Sequence, residues 1–489
     1  MRYPISLLFL GVLAATALAQ PMNVLFISVD DLRAELGCYG VPRALTPNID
    51  AFAARAVKFD RAYCQYPLCN PSRASLLTGR YPTTLELYGN RDWFNAFDPS
   101  LVSLPKYFRQ HGYFTERHGK IFHGDTIDDA AAWDVGGVPH NFKDPKPAKS
   151  VADAPITEEQ EKARVGRMIE ADVRQAPGSD RWKAVDDPAE LAKMGDTVNT
   201  DKAIAFLRSR QPGDQPFFLG FGLGKPHSPL IAPRRFFDKY DLAGIELPPD
   251  FASKPTVPEG FPRGSIRAIN ADLFIRREAS ETEAKEMIRA YLACVSYVDA
   301  NIGRVLAALD QAGLRERTIV VFWSDHGYQL GEKGKWSKAG SLWEQGAHVP
   351  LIIFDPRAEA NGHASPRVVE LLDLYPTLVS LCGLPMPAGL EGRDLSPLLK
   401  KADTSWDHPA YTVWNERSRG VSGVVVRTEE WRYAEFFGPG AGAFLTRPAD
   451  DPHELTNLVN DDRYAQVVAK LSALARAKVA GKTEPTPAK

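Results

Sequence analysis

Short, almost continuous apolar runs alternate along the chain with longer amphipathic stretches. The clearest runs are residues 23–29, 217–223, 318–324 and 349–354. Runs of this kind are typical of parallel strands that are buried on both faces. Their alternation with helical stretches indicates a doubly wound α/β domain, in which helices cover both faces of a large, mostly parallel central sheet.

The strongest helical pattern predicts a helix from about Ser280 to Gly313. Ser280 and Glu283 form a capping box at its start, and apolar side chains then recur at three- and four-residue spacing. Residues 368–382 predict another helix, in which Pro376 marks a kink or break. A further helix is expected at residues 158–170, inside a polar stretch that we interpret as a long excursion over the surface.

The texture of the sequence changes after about residue 400. Residues 411–416 and 423–437 predict strands of an antiparallel hairpin or meander, and residues 464–480 predict a final helix. The expected organisation is a large α/β domain over residues 20–400 and a small C-terminal α+β domain with an antiparallel sheet over residues 401–489.

The first 19 residues have the features of a secretory signal peptide. Arg2 is the positive charge, residues 5–15 are the apolar run, and Ala17-Leu18-Ala19 fits a cleavage site. The alternative, a membrane anchor, is disfavoured because the run is shorter than the ~20 residues that span a bilayer. We therefore expect a secreted or periplasmic protein that is cleaved near Ala19 and has no membrane span.

Charge and cysteine content narrow the function further. The 489 residues include 59 Lys and Arg against 61 Asp and Glu, a net charge of −2 that argues against nucleic-acid binding. Five cysteines are too few for a disulfide scaffold, and an odd number leaves at least one thiol unpaired. The sequence leaves open whether Cys38, Cys64, Cys294 and Cys382 form pairs.

Two of the predicted strands run directly into ionisable residues. Asp30 and Asp31 follow the first strand, and Asp325 and His326 follow the strand at 318–324. Each pair alone could cap a helix or begin a turn. Because ligands bind outside the carboxyl ends of parallel strands, the two pairs together predict one metal site. Its carboxylate-rich donors favour Ca²⁺ or Mg²⁺ over zinc.

A cysteine lies at the predicted N-terminus of a short helix. Pro71 suits the first turn of this helix, Gly79 suits its end, and Cys69 would lie where the helix dipole favours an anion. Arg73, one turn further on, could reach back towards it. A lone cysteine is usually part of a hydrophobic core, so the interpretation depends on its neighbours.

Those neighbours resemble the type I sulfatase family. Residues 69–80 contain its C-x-P-S-R and L-x-T-G-R signature, in which the cysteine is oxidised to formylglycine. Supporting motifs are N-V-L-x-I-x-V-D-D-L-R at 23–33, G-C-Y-G at 37–40, T-P-N-I-D at 46–50, G-K-I-F-H at 119–123, K-P-H at 225–227, S-D-H-G at 324–327 and W-S-K at 336–338. The D-D, D-H and K-P-H motifs are most similar to the iduronate-2-sulfatase-like branch.

The resemblance implies an alkaline-phosphatase-like sandwich fold and a calcium-dependent mechanism. It implies that Asp30, Asp31, Asp325 and His326 hold Ca²⁺ with a 3-oxoalanine (formylglycine) derived from Cys69, which a formylglycine-generating enzyme would produce. One hydroxyl of the hydrated aldehyde would attack the sulfate ester and release the alcohol. The second hydroxyl would then lose a proton and expel sulfate.

The resemblance also implies roles for the cationic side chains of the motifs. Arg73 and Lys120 would brace the nucleophile, and His123 would take its second proton. His227 would be the acid for the leaving alcohol, while Lys225 and Lys338 would face the sulfate group. Taken singly, each has an ordinary alternative, such as a solvated lysine or a histidine that hydrogen-bonds within a loop.

The expected substrate is a sulfate ester on a sugar or polysaccharide. Two segments are candidate specificity loops: residues 91–94, which contain Arg91 and Trp93, and residues 415–419. Exposed side chains of these types can equally pack against a neighbouring domain. Lys333 stands where many relatives have histidine, and residues 443–446 replace the family's E-L-Y-D. The alternatives are a phosphonate monoester or phosphodiester hydrolase and a non-catalytic secreted carbohydrate-binding relative.

Overall fold

A seven-stranded sheet lies at the centre of the part of the chain that the structure describes. The structure is a computed structural model that describes residues 21–123, 129–138, 182–416 and 420–482. The predicted signal peptide at residues 1–19 and the predicted helix at residues 158–170 lie outside the described residues.

The strands and helices follow one another along the chain as the alternating pattern predicts. The strands are β1 (Asn23–Asp30), β2 (Val57–Tyr63), β3 (Phe114–His118), β4 (Trp182–Val185), β5 (Phe217–Pro226), β6 (Leu230–Pro233), β7 (Thr318–Ser324), β8 (His348–Phe354), β9 (Ala364–Glu370), β10 (Ala410–Trp414), β11 (Gly423–Arg427), β12 (Arg432–Phe436) and β13 (Gly442–Thr446). Within the described residues, the α-helices are α1 (Pro47–Ala53), α2 (Cys69–Thr78), α3 (Pro82–Leu85), α4 (Phe94–Phe97), α5 (Leu104–Gln110), α6 (Pro188–Leu191), α7 (Gly195–Ser209), α8 (Arg234–Phe237), α9 (Glu281–Gln311), α10 (Glu344–Ala347), α11 (Leu374–Leu381), α12 (Ser396–Lys400) and α13 (Ala465–Lys478).

The large sheet is mixed and mostly parallel, as expected. Its strand order is β3-β5-β1-β7-β8-β2-β9, and β3, β5, β1 and β7 are parallel neighbours. Strand β8 runs antiparallel to both β7 and β2, so the prediction of a parallel strand at residues 349–354 was wrong in direction. The apolar run reflects burial on both faces, which every central strand has whatever its direction.

The first strand shows how both faces of the sheet are covered. Leu25, Ile27 and Val29 belong to the core on one face, which α7 and α9 cover. Val24 and Phe26 belong to the core on the other face, which includes residues of α2, α5 and α11. This alternation holds the carboxyl end of β1 rigidly at the edge of the sheet.

The prediction of a helix beginning near Ser280 was confirmed. Its amide donates to Glu283 Oε2 at 3.1 Å, and Glu283 N donates to Ser280 Oγ at 3.3 Å, which completes the capping box at the start of α9. By length and composition this helix could cross a membrane, but 78% of its most apolar window is buried inside the protein. It is therefore a core helix.

The prediction of one helix over residues 368–382 was partly wrong. Val368 and Val369 belong to β9, a 3₁₀ turn covers Leu371–Asp373, and only α11 is α-helical. The β-branched pair extends the sheet because it packs there against β2. Pro376 causes no break, because it lies in the first turn of α11, where its missing N–H is not needed.

A second, antiparallel sheet forms after residue 400. Its order is β10-β11-β12-β13, and α13 packs on β11 and β12. Residues 423–437 thus contain two strands, and β13 had not been predicted. The domain boundary at residues 400 and 401 stays a prediction.

All five cysteines are free thiols, so the open question of pairing is answered for this structure.

Candidate active site

The carboxyl ends of four parallel strands meet at one edge of the large sheet. Each of these strand ends carries two predicted site residues. They are Asp30 and Asp31 at β1, Asp325 and His326 after β7, Lys225 and His227 at β5, and Lys120 and His123 after β3. Helix α2 adds Cys69 and Arg73, and the loop after β7 adds Lys338. Ligands bind at this edge in open α/β sheets.

Cys69 is the first residue of α2 and is 1% exposed. Its Sγ lies 3.3 Å from Nε2 of His326 and 4.0 Å from Oδ1 of Asp31. Burial raises the pKa of the Cys69 thiol. The positive charges of Lys120 and Lys338, with smaller contributions from nearby histidines, outweigh burial and hold this pKa well below its usual value. The site therefore stabilises negative charge at residue 69.

Potential metal ligands surround the Cys69 sulfur. Ligand atoms of Asp30, Asp31, Cys69 and His227 lie within 4.8 Å of one another, as do those of Cys69, Asp325 and His326. His326 Nδ1 is 2.9 Å from Gly327 O, a contact that turns its Nε2 towards the cysteine. The structure thus brings together all the residues that the sequence predicted to hold a metal.

The charge of this cluster fits a divalent cation. Burial, with Asp30 and Cys69, raises the pKa of Asp325 to about 7 despite the attraction of Arg73. Burial lowers the pKa of His326, but Asp325 and Cys69 outweigh it and raise that pKa to about 10. Both pKa values are raised because negative charge is crowded in a dry pocket, and a bound cation would relieve the same repulsion. Oxygen-rich donors suit Ca²⁺.

Arg73 connects the helix to both acidic strand ends. Its side chain is 0% exposed, and its guanidinium donates to Asp325 Oδ2 at 2.9 Å and to Asp30 Oδ1 at 3.1 Å. It also donates at 2.9 Å to Ser28 Oγ and to the carbonyl oxygens of Lys120 and Ile121. A planar five-donor group suits these convergent acceptors.

Two lysines each contact one carboxylate of the predicted metal site. Lys120 Nζ donates to Asp30 Oδ2 at 2.6 Å, and Lys338 Nζ donates to Asp31 Oδ2 at 2.8 Å. Lys338 also lies 3.2 Å from Asp272 Oδ1 and is 4% exposed. Burial lowers the pKa of both ammonium groups. The negative charge of Asp30 outweighs this effect for Lys120, and that of Asp272 does so for Lys338, so both lysines stay charged.

The two predicted proton-transfer histidines contact the site from the β3 and β5 sides. A ring nitrogen of His227 lies within 4.8 Å of Cys69 Sγ, and His123 is close enough to help lower the pKa of Cys69. Burial lowers the pKa of His227, yet Asp31 and the contact with Cys69 raise it to about 9. His227 Nδ1 is 2.6 Å from Ser228 O, so its Nε2 faces the site. Protonated at neutral pH, it can act as an acid.

Lys225 has a different surrounding from the one expected of a sulfate ligand. Its ammonium donates to His227 O at 2.9 Å and to Pro229 O at 2.6 Å. Its backbone N–H donates to Asp196 Oδ2 at 2.9 Å, while Gly224 N donates to Asp196 Oδ1 at 2.7 Å. These contacts hold the K-P-H loop that carries His227.

The segment with Arg91 and Trp93 is attached directly beside the cysteine. Asn70 Nδ2 donates to the carbonyl oxygens of Gly89 at 2.8 Å and Asp92 at 2.7 Å. Arg91 is exposed, and Trp93 is half-buried with its ring 4.3 Å from that of Phe94. Asn70 thus anchors this loop one residue from Cys69. Of the other candidate loop, residues 417–419 lie outside the described part.

Several positions that build the site had not been predicted. Gly222 on β5 lies against Lys120, where a Cβ atom would overlap the backbone, so only glycine allows this approach. Asp196 and Asp272 contact the K-P-H loop and Lys338 from distant parts of the chain. Neither aspartate stands in a motif or at a strand end, so the sequence alone contained no signal for them.

Lys333 connects the loop after β7 to the C-terminal segment. Its Nζ donates to Asp250 Oδ2 at 2.7 Å and to His453 O at 2.9 Å, and lies 4.2 Å from the centre of the Trp343 ring. These contacts give the position a structural explanation. Glu454, next to His453, forms a buried ion pair with Arg432 at 3.0 Å.

Comparisons with known proteins agree with this geometry. The family described as Sulfatase matches residues 22–384, and the family described as N-sulphoglucosamine sulphohydrolase, C-terminal, matches residues 331–479. A sulfatase of Formosa agariphila is 34% identical over 465 residues, which cover 92% of this chain and 86% of its own. Iduronate 2-sulfatase of Homo sapiens is 30% identical over 537 residues, with 92% and 93% coverage.

Solved structures show the same fold. A protein in complex with its substrate D-glucosamine-2-N,6-O-disulfate has a TM-score of 0.69 at 22% identity, and the alignment covers 94% of this chain and 97% of that chain. The phosphonate monoester hydrolase of Agrobacterium radiobacter has a TM-score of 0.71 at 23% identity, with 94% and 96% coverage. The fold is alkaline-phosphatase-like, as the sequence predicted. With a family match over most of its length and relatives at 30% identity or more, the chain belongs to the type I sulfatase family and is a sulfuric ester hydrolase, with iduronate 2-sulfatases among its relatives.

Proposed function

We propose that this sulfatase hydrolyses O-sulfate esters of a sulfated sugar or polysaccharide, with formylglycine at position 69 and Ca²⁺ as its resident metal. Three kinds of relatives support the substrate class. Iduronate 2-sulfatase and an ulvan-active sulfatase of Formosa agariphila are similar in sequence, and a fold relative is bound to a sulfated glucosamine. Export directed by the predicted signal peptide would place the reaction outside the cytoplasm.

The surroundings of Cys69 are the observation that carries this proposal. Its sulfur lies among carboxylates, histidines and lysines, 3.3 Å from Nε2 of His326. Cys294, by contrast, lies on the buried side of α9 within the hydrophobic core, and burial raises its pKa to about 12. A structural thiol has surroundings like those of Cys294. The surroundings of Cys69 are those of a reacting group.

The cofactors and the protein side chains have separate tasks in the proposed reaction. When present, the hydrated aldehyde at position 69 supplies the nucleophilic oxygen, and Ca²⁺ held by Asp30, Asp31, Asp325 and His326 neutralises charge around it. Lys120 and Lys338 are fixed cations close to residue 69. Lys120 would brace the nucleophile, and Lys338 would stabilise the negative charge that grows on the sulfuryl oxygens in the transition state.

Two histidines divide the proton transfers. His227 is protonated at neutral pH, because Asp31 and its contact with Cys69 raise its pKa to about 9 despite burial. It would donate this proton to the leaving alcohol oxygen. His123 also lies close to residue 69 and would take the proton whose loss releases sulfate. Arg73 holds Asp30 and Asp325 in place and does not transfer a proton.

Recognition of the sugar is assigned to the loop that carries Arg91 and Trp93. Arg91 is exposed and can contact a further anionic group, and Trp93 can stack on a sugar ring. Asn70 fixes this loop one residue from the nucleophile position. Lys225 is also assigned to substrate binding, but indirectly, because it supports the loop that carries His227. A formylglycine-generating enzyme is the partner that maturation requires.

A substrate screen tests this proposal. Released sulfate is measured with sulfated polysaccharides and their oligosaccharides, and matched phosphate and phosphonate esters are assayed in parallel. We expect sulfate release that is lost in Cys69→Ala and after chelation, and that returns with added Ca²⁺. Activity of Cys69→Ala equal to the wild type would contradict the nucleophile, and activity insensitive to chelation would contradict the metal. A higher kcat/KM for phosphonate or phosphodiester substrates would favour the alternative hydrolase.

A further inference from the structure

The backbone at Asp31 is held in an unusual conformation. Its φ angle is 60°, in the left-handed region that residues other than glycine rarely adopt. Such residues keep this conformation only where the surrounding structure holds them.

A single buried hydroxyl group bridges two backbone groups of the turn that begins at Asp31. Tyr291 OH donates to the carbonyl oxygen of Asp31 at 2.7 Å and accepts from the N–H of Arg33 at 3.0 Å. Tyr291 is 1% exposed and lies in the middle of α9, the long core helix. Its ring is packed in the core on that face of the sheet, so the hydroxyl group has a fixed position.

Two further backbone contacts at this strand end come from the end of β7 and the residue after it. The N–H of Asp31 donates to Asp325 Oδ1 at 3.2 Å, and the N–H of Leu32 donates to Ser324 Oγ at 3.0 Å. These contacts fix the amide side of the turn. The carbonyl of Asp31 is on the opposite side of the residue and is fixed by the tyrosine from the helix.

We propose that Tyr291 is a positioning residue for the metal site, because its hydroxyl group holds the Asp31 backbone so that the carboxylate faces the cation. This inference rests on the proposed function, in which Asp31 is a metal ligand. Asp31 Oδ1 lies 4.0 Å from Cys69 Sγ, and Oδ2 accepts from Lys338 at 2.8 Å. Without the hydroxyl group, residue 31 can relax towards an ordinary backbone conformation, which turns this carboxylate away.

The experiment compares Tyr291→Phe with Tyr297→Phe in the full-length protein. Tyr297 lies on the same helix, is 2% exposed, and pairs its hydroxyl group with Thr197 Oγ1 at 2.7 Å, away from Asp31. Each change removes one buried hydroxyl group from α9. Calcium affinity is measured by titration calorimetry on metal-depleted protein, after mass spectrometry has shown equal modification of Cys69.

The expected result is a Kd for Ca²⁺ that is about 10- to 100-fold weaker in Tyr291→Phe, the usual effect of removing a group that supports a metal ligand. The Kd of Tyr297→Phe should stay within about twofold of the wild type. Equal affinities of Tyr291→Phe and wild type would overturn the inference and leave the proposed function intact. Equal weakening in both variants would show a general effect of α9 and would also overturn it. A wild-type protein that binds no Ca²⁺ would overturn the metal part of the proposed function and the inference together.

Discussion

Replacement of Arg73 by lysine tests whether the guanidinium holds the two acidic strand ends together. Arg73 is completely buried and makes five contacts, two with the carboxylates of Asp30 and Asp325 and three with neutral oxygens. Lysine keeps the positive charge but has three donors on one atom. At least two of the five contacts are therefore lost, and buried acceptors lose their partners.

The expected loss of stability follows from these contacts. A hydrogen bond to a neutral group contributes ~1 kcal/mol and one to a charged group ~1.5–3 kcal/mol, so Arg73→Lys should cost about 2–4 kcal/mol. With an unfolding entropy of ~2.1 cal/mol/K per residue, 1 kcal/mol corresponds to ~1 °C in a chain of this size. The melting temperature should therefore fall by about 2–4 °C.

The assay is thermal unfolding by calorimetry at one fixed concentration of free Ca²⁺, since a bound metal shifts the midpoint by mass action. Arg304→Lys is the matched control, because Arg304 forms an ion pair with Asp201 in which both side chains are about half exposed. Such a pair contributes at most ~1 kcal/mol, so the control should change the midpoint by less than ~1 °C. An Arg73→Lys midpoint equal to that of the control would refute the bracing role of Arg73.

Three further substitutions test other parts of the account. His227→Asn should lower kcat by ~10²–10⁴-fold for sugar sulfates and much less for 4-nitrophenyl sulfate, whose leaving group needs no acid, and equal losses would contradict the acid role. Lys338→Met should lower kcat/KM by ~10²–10³-fold with any sulfate ester, and an unchanged value would contradict its contact with the sulfate group. Burial lowers the pKa of Lys335 from 10.5 to about 7 in the folded protein. Between pH 7 and pH 10.5 this lysine is therefore protonated in the unfolded chain but largely neutral in the folded protein. The stability of the wild type should therefore rise relative to Lys335→Met as the pH increases from 7 to 10, and a constant difference in melting temperature would contradict this.

The sequence predicted most of the site because the motif residues follow parallel strands. Asp30 and Asp325 stand directly after buried apolar runs, and the carboxyl ends of parallel strands meet at one edge of a sheet. Cys69 was found through its motif and the helix signals of Pro71 and Gly79. The positions at strand ends were sufficient for the two aspartates, whereas the role of Cys69 came from the resemblance of its motif to the sulfatase family.

Contacts between distant segments were beyond the reach of sequence reasoning. Tyr291, Asp196 and Asp272 support the site from a helix, a helix start and a loop, and each lies outside any motif. The direction of β8 was also missed, because burial on both faces gives parallel and antiparallel central strands the same apolar pattern. Only the three-dimensional packing determines these features.

The most direct test of the central claim is the chemical state of residue 69 in active enzyme. Mass spectrometry of the tryptic peptide from residues 62–73, taken from native protein of measured sulfatase activity, distinguishes the aldehyde from the thiol. The account predicts formylglycine at position 69, in a fraction that rises with specific activity, and an unmodified thiol at Cys64 in the same peptide. Full activity in protein whose Cys69 is entirely an unmodified thiol would contradict it.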